Sequence, residues 1–257
     1  MRTIALIFLS AWAAGCGTDE PAGEPGEPSA CDQQEFEGSR FTVCDNEGGP
    51  LTLLAAGPED TPVRSFSDAL ARVDEDEVAF AMNAGMFDED GRPIGLTRAD
   101  GAELHAVNLR DGPGNFHLKP NGVFLVACSG RAGIYESGSV PRTRCAPTLA
   151  TQSGPMLVIK GRMHPAFEDD GTSRHIRNGV GVTAQGKALF AISQDPVSFG
   201  KFARFFRDRL KTPDALYFDG AVSSLWDPAN GRMDSHSPLG PIIVALKPRP
   251  AQAPARR

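Results

Sequence analysis

Apolar residues along this chain come in short runs separated by glycine, proline, asparagine and aspartate, the rhythm of strands rather than helices. Arg40-Phe41-Thr42-Val43-Cys44 and Leu51-Thr52-Leu53-Leu54-Ala55 flank the turn-forming stretch from Asp45 to Pro50, which predicts a hairpin. Ser65 to Val73 places Phe66, Leu70 and Val73 behind a serine cap, a short amphipathic helix, and Val78 to Met82 is a buried strand. Further strands are expected at Glu103–Asn108, Gly122–Ala127, Ala132–Glu136, Pro155–Lys160, Gly179–Thr183, Lys187–Ser193 and Ala215–Phe218. One longer helix, Ser198 to Leu210, gathers Phe199, Phe202, Ala203, Phe206 and Leu210 on one face. Lys201, Arg204, Arg207 and Arg209 fall elsewhere and read as a solvated face. Many strands and few helices, without βαβ alternation, predict an α+β fold: a single domain of mixed, largely antiparallel β-sheet.

The ends of the 257 residues differ in character from the middle. Met1-Arg2-Thr3, an apolar run from Ile4 to Ala14 and the small residue Gly15 make residues 1–15 a secretory signal. Cys16 after Ala13-Ala14-Gly15 resembles a lipobox and predicts lipidation, although Ala13 stands where an aliphatic residue is usual; a plain signal peptide cut nearby is the alternative. Residues 16–30, rich in Pro, Gly and Glu, cannot bury enough apolar surface to order and read as a tether. Residues 31–246 form the domain, and 247–257 a basic tail. The expectation is an exported lipoprotein facing the periplasm or cell surface, its membrane contact made through the anchor. A net charge of −6 argues against a general nucleic-acid partner. Beyond Cys16 there remain Cys31, Cys44, Cys128 and Cys145, an even number in an exported chain. Three pairings are possible; Cys31–Cys44 and Cys128–Cys145 each close a short local loop and are preferred. A zinc site is the weaker reading, since there is no C-x-x-C pair and no nearby histidine.

Chemistry concentrates where strands end in polar residues. Asn83 and Gly85 follow the buried strand at Val78, and either touch a sugar or simply turn the chain. Gly112 to Gly122 sets Asn115, His117, Lys119 and Asn121 in a rigid Gly/Pro frame suited to an oxyanion, although a lone histidine is more often structural. Gln152, Ser153 and Gly154 form another such exit. Arg174 and Arg177 carry the forked guanidinium that matches phosphate oxygens, against the plain alternative of surface charge. Asp219-Gly220, followed by Ser223 and Ser224, puts an acid at the mouth of a buried strand, where an ordinary Asp-Gly turn is the competing reading. Asp88-Glu89-Asp90-Gly91 lacks the spacing of a calcium loop. No G-x-S-x-G elbow, H-E-x-x-H, P-loop or dinucleotide fingerprint is present, so serine hydrolase, zinc protease and nucleotide-binding readings drop out.

Taken in order, Asn83-Ala84-Gly85-Met86-Phe87 with Pro93-Ile94-Gly95, the Asn115-Phe116 to Phe124 run, Thr151 to Leu157, Arg177-Asn178-Gly179-Val180-Gly181 and Leu216 to Gly220 resemble the bacterial phosphodiester glycosidase family. That family shares its domain with the uncovering enzyme, N-acetylglucosamine-1-phosphodiester alpha-N-acetylglucosaminidase. The resemblance implies a hydrolase that cleaves the sugar C1–O bond of glycosyl-1-phosphodiesters in glycans or cell-envelope polymers. A phosphate monoester is a good leaving group, so the needs are a carboxylate near C1, a cation for the phosphate and amides for sugar hydroxyls. Asp219 and Arg177 are the catalytic candidates. Asn83, Gly85, Asn115, His117, Asn121, Gln152, Ser153, Gly154, Arg174, Gly220, Ser223 and Ser224 are the substrate-binding ones. The sequence requires no cofactor and offers no metal ligand set. Ala221 departs from the family, which carries further glycine there, and leaves room for a non-catalytic carbohydrate-binding lipoprotein.

Overall fold

A computed structural model describes residues 29–56 and 60–248. The signal, Cys16 and most of the tether and tail lie outside the described residues. Three sheets form the domain, and every pairing within them is antiparallel. The first runs β1 (Cys31–Phe36), β2 (Ser39–Asp45), β13 (Ala188–Ser193), β12 (Asn178–Val182), β14 (Asp214–Tyr217), β10 (Met156–Ile159) and β11 (Arg162–Met163). The second runs β16 (Arg232–Met233), β15 (Leu225–Asp227), β4 (Val78–Asn83), β17 (Ile242–Leu246) and β3 (Leu51–Leu54). The third runs β6 (Ala102–His105), β5 (Thr97–Ala99), β9 (Leu149–Ser153), β7 (Gly122–Val126) and β8 (Ala132–Glu136).

The period-two alternation of strands decides which layer each side chain joins. From β14, Leu216 and Phe218 enter the central core with Phe80, Met82, Phe124, Phe190 and Ile243, contributed by all three sheets. Ala215 and Tyr217 point the other way, into the layer under helix α2 (Phe199–Arg204), with Phe41, Phe202, Phe205 and Phe206. Helix α1 (Phe66–Leu70), capped by the Ser65 side chain on the Asp68 N–H, covers the outer face of the second sheet with Phe66 and Ala69 against Trp226 and Ile242.

Two local expectations change. The runs at Arg40 and Leu51 do not pair as a hairpin: β2 lies between β1 and β13, whereas β3 pairs with β17 in another sheet. The cause is close approach. A Cβ on Gly49 would sit 2.1 Å from the Leu246 carbonyl oxygen, so this glycine lets the chain cross to β17 instead of turning back. The helix from Ser198 ends as a π-helical turn over Phe205–Arg209, which places both Phe205 and Phe206 inside. Its charges latch it to the first hairpin: Arg204 forms a forked pair with Glu37 (2.6 and 2.9 Å) and Lys201 reaches the Glu37 carbonyl.

The cysteines pair as Cys31–Cys44 and Cys128–Cys145. The first spans directly opposed residues of β1 and β2 and is buried, while Cys128 and Cys145 are exposed. Ala30 and Lys247, near the two ends of the domain, line one cleft together with Val78, at the start of β4. The far end of that strand is Asn83.

Candidate active site

A web of side chains ties the sheets together where β4, β12 and β14 end. Asn178 Nδ2 donates to both the backbone oxygen (3.0 Å) and Oδ1 (2.9 Å) of Asn83. Asn83 Oδ1 also accepts from the Ser224 N–H (2.8 Å), and its Nδ2 donates to the Asp219 backbone oxygen (2.8 Å). Ser223 Oγ closes the web on Asn178 Oδ1 (3.0 Å). Asn83, Asn178, Ser223 and Ser224 are buried, where an unmet amide would cost about 1–3 kcal/mol, so each bond fixes its neighbours. Asn83, Ser223 and Ser224 were expected to meet substrate; the structure commits their polar atoms to the protein instead. Their product is a rigid frame for the turn at Asp219.

Asp219 is only half-buried, and its backbone N–H donates to the Ala84 carbonyl (3.0 Å). Its Oδ1 accepts from the Ala221 N–H (3.1 Å), and among the described residues no cation pairs with it. Burial pushes this carboxyl above the ordinary aspartate value, with the Ala221 N–H working in the other direction. The Ala221 side chain is exposed and its φ is not positive, so alanine supplies the same N–H that glycine would. Its departure from the family pattern leaves the carboxylate's surroundings intact.

Antiparallel register sets the arginine and the acid at the same end of the β12–β14 ladder. Gly179 opposes Tyr217 in the last pair of this ladder, and Arg177 and Asp219 each lie two residues beyond it. The guanidinium, however, is closed in: Arg177 is 1% exposed. Nε donates to the Val197 carbonyl (2.9 Å), Nη2 to the Ser173 carbonyl (3.0 Å) and Nη1 to the Tyr217 hydroxyl (3.3 Å). Its plane lies 3.6 Å from the Phe199 ring centroid, and Phe199 in turn stacks on Phe167. The expected direct fork from Arg177 to a phosphate is therefore corrected: its donors face protein. Burial lowers the Arg177 pKa while Tyr217 raises it. Gly220 lies against the phenol, and a Cβ there would fall 1.7 Å from Tyr217 Oη, which accounts for glycine after the aspartate.

The remaining candidates divide. Gln152 is saturated: Oε1 accepts from the Leu96 and Asn108 N–H groups, and Nε2 donates to the Asn108 carbonyl and Ser137 Oγ. Asn121 Nδ2 donates to the Phe116 carbonyl (2.7 Å), and His117 Nδ1 lies 3.0 Å from the Arg110 carbonyl. These three hold loops, and a sugar contact by their bonded atoms is not what the structure shows. Gly85 and Gly154 are sites of close approach, where a Cβ would meet the Gln152 carbonyl (2.5 Å) and Asn121 (2.7 Å). Ser153 Oγ is buried, with no hydrogen-bond partner among the described residues. Asn115 and Arg174 are exposed, Arg174 bonded to Asp170 (2.6 Å). Reasoning from residues alone overlooked Asn178, Tyr217 and Phe199. Asn178 sits inside the Arg177-Asn178-Gly179 motif and Tyr217 two places before Asp219, and that i, i+2 spacing in a strand was the available signal.

The phosphodiester glycosidase (NAGPA) family model matches residues 76–240. The uncharacterized protein YigE of Escherichia coli (strain K12) is 38% identical over 150 residues, and the match spans 58% of each chain. Among solved structures, the catalytic domain of zebrafish N-acetylglucosamine-1-phosphodiester alpha-N-acetylglucosaminidase, auto-inhibited by its pro-peptide, superposes with a TM-score of 0.58 at 15% identity. That match covers 85% of this chain and 82% of that one. A hypothetical protein from Synechocystis gives 0.54 at 16% identity, covering 84% and 61%. The structural likenesses show the fold, and the family model spans well over half of the sequence. The chain belongs to the phosphodiester glycosidase family.

Proposed function

We propose that this protein is an exported hydrolase of glycosyl-1-phosphodiesters, with Asp219 as its catalytic residue. The observation that supports this reading is a half-buried carboxyl, paired with no cation among the described residues, standing on a frame of hydrogen bonds at the mouth of β14. In the reaction, water adds to the anomeric carbon, the C1–O bond breaks, and its electron pair leaves with the phosphate monoester. Asp219 stabilises the positive charge developing at C1 and takes the proton of the incoming water. Phosphate is a weakly basic leaving group and does not need a partner acid in the way that an alkoxide does. The phosphate would lie toward the Ser173–His175 loop, where Arg174 is exposed and Arg177, three residues on, is buried. The substrates on this reading are glycan or cell-envelope phosphodiesters, reached from a lipid anchor at Cys16.

The test is incubation with a panel of sugar-1-phosphodiesters, reading free sugar and phosphomonoester. Asp219→Asn should lower kcat by roughly a hundred- to ten-thousand-fold with little change in substrate binding. A folded Asp219→Asn variant working near the parent rate would sink the assignment. Binding of every diester without turnover by the parent would point to a carbohydrate-binding lipoprotein instead.

A further inference from the structure

We propose that His164 is an acid-sensitive latch: neutral, it holds residues 164–173 down as a strap over the start of α2, and on taking a proton it lets the strap go. The inference does not depend on the role of Asp219. Its first support is the way the imidazole is held. His164 is 1% exposed, although Pro165 and Ala166 beside it lie at the surface. Nδ1 accepts from the Ala166 N–H (3.1 Å), which fixes the neutral ring with its proton on Nε2. Nε2 is buried, with no hydrogen-bond partner among the described residues. A second proton could enter only at Nδ1, where it would meet the Ala166 N–H and leave a buried charge with no acceptor.

The second support is what the strap covers. The imidazole stacks on Phe167 (ring centroids 4.8 Å apart), Phe167 stacks on Phe199 (4.9 Å), and Phe199 carries the Arg177 guanidinium at 3.6 Å. Beyond Phe167 the chain presses on Gly200 of α2, where a Cβ would sit 2.1 Å from the Glu168 carbonyl oxygen and 2.5 Å from that of Asp169. Arg204 donates to the Asp169 carbonyl, and the Ser173 carbonyl accepts from Arg177 Nη2. The strap thus runs from the imidazole to the guanidinium, and a charge at its head would join a buried column that already holds one cation. Charged side chains on the surrounding elements turn to other partners or to the surface. Lys119 meets Asp111, Lys201 and Arg204 meet Glu37, Arg174 meets Asp170, and Lys160, Arg162, Glu168 and Asp169 are exposed. Burial lowers the His164 pKa from the ordinary 6.5, with the Lys119 carbonyl acting the other way.

Substrate-free protein carries the test. Imidazole ¹⁵N NMR follows His164, identified among the five histidines by the resonance lost in His164→Asn. The neutral ring should carry its proton on Nε2. Amide exchange of Ala166 and Phe167, corrected for intrinsic rate, should be flat above pH 6.5. From there down to the lowered midpoint it should speed up roughly tenfold per pH unit, because each opening then takes up one proton. Asparagine sets an oxygen near the place of Nδ1 and does not titrate, so His164→Asn should open to an extent independent of pH. His164→Phe keeps the stack without the acceptor and should open at every pH. Opening in the parent that ignores pH, a ring protonated on Nδ1 when neutral, or a pH dependence that survives in His164→Asn overturns the latch. Where a variant fails to fold, the slope and the tautomer of the parent decide it.

Discussion

At the scale of residues, Asp219 stands where stability and function oppose each other. Its folded pKa lies above the ordinary value of 3.8 because burial disfavours the ionised form. The stability it contributes is therefore fully present below pH 3.8 and is lost as pH rises through the folded value. At neutral pH the ionised carboxylate is a liability. Asp219→Asn should accordingly melt higher than the parent at pH 7, by roughly a few degrees, with the difference shrinking toward zero in acid. Thermal scans from pH 3 to 8 check this; a variant that melts lower at neutral pH would mean that the carboxylate is stabilising. The place of Asp219 at a strand exit was legible in the sequence because an acid ends a buried apolar run. The parts of Asn83 and Gln152 were not. Both are amides at strand exits, and only the three-dimensional partners reveal that their polar atoms are already committed.

Among the elements, periodicity located most strands, including β8 over its full length, because alternation and turn residues are local signals. The false hairpin marks the limit of that reasoning. Gly48-Gly49-Pro50 carries the letters of a turn, yet the partner of β3 is β17, nearly two hundred residues away. The disulfides yielded to a local argument because both loops are short, 13 and 17 residues apart. Those lengths imply that losing either bond costs about 3 kcal/mol, but exposure separates the two. Cys128–Cys145 should open first under mild reductant, since a thiolate reaches it without unfolding the domain, whereas Cys31–Cys44 should persist until denaturation. Alkylation of the folded protein followed by peptide mapping reads the order, and early release of Cys44 would contradict it.

For the whole molecule, the export reading makes its own forecast. Cys16→Ala should move the protein from the membrane fraction to the soluble one while the melting temperature of the domain stays unchanged, because the described fold begins beyond that residue. Fractionation and mass spectrometry of the mature N-terminus decide it; a membrane fraction unchanged by the substitution would rule out the anchor. The cleft shared by Ala30 and Lys247 adds a consequence of a different kind. β4 leaves that cleft at Val78 and, five residues later, delivers Asn83 to the turn that holds Asp219. At about 3.3 Å per residue the strand sets roughly 17 Å between the two poles. Anything joined to either end of the domain, whether a surface, a bead or a fused partner, therefore gathers at one pole and leaves the opposite one open. Held that way, the molecule is like a tool gripped by its handle, with the Asp219 turn at the end away from the grip.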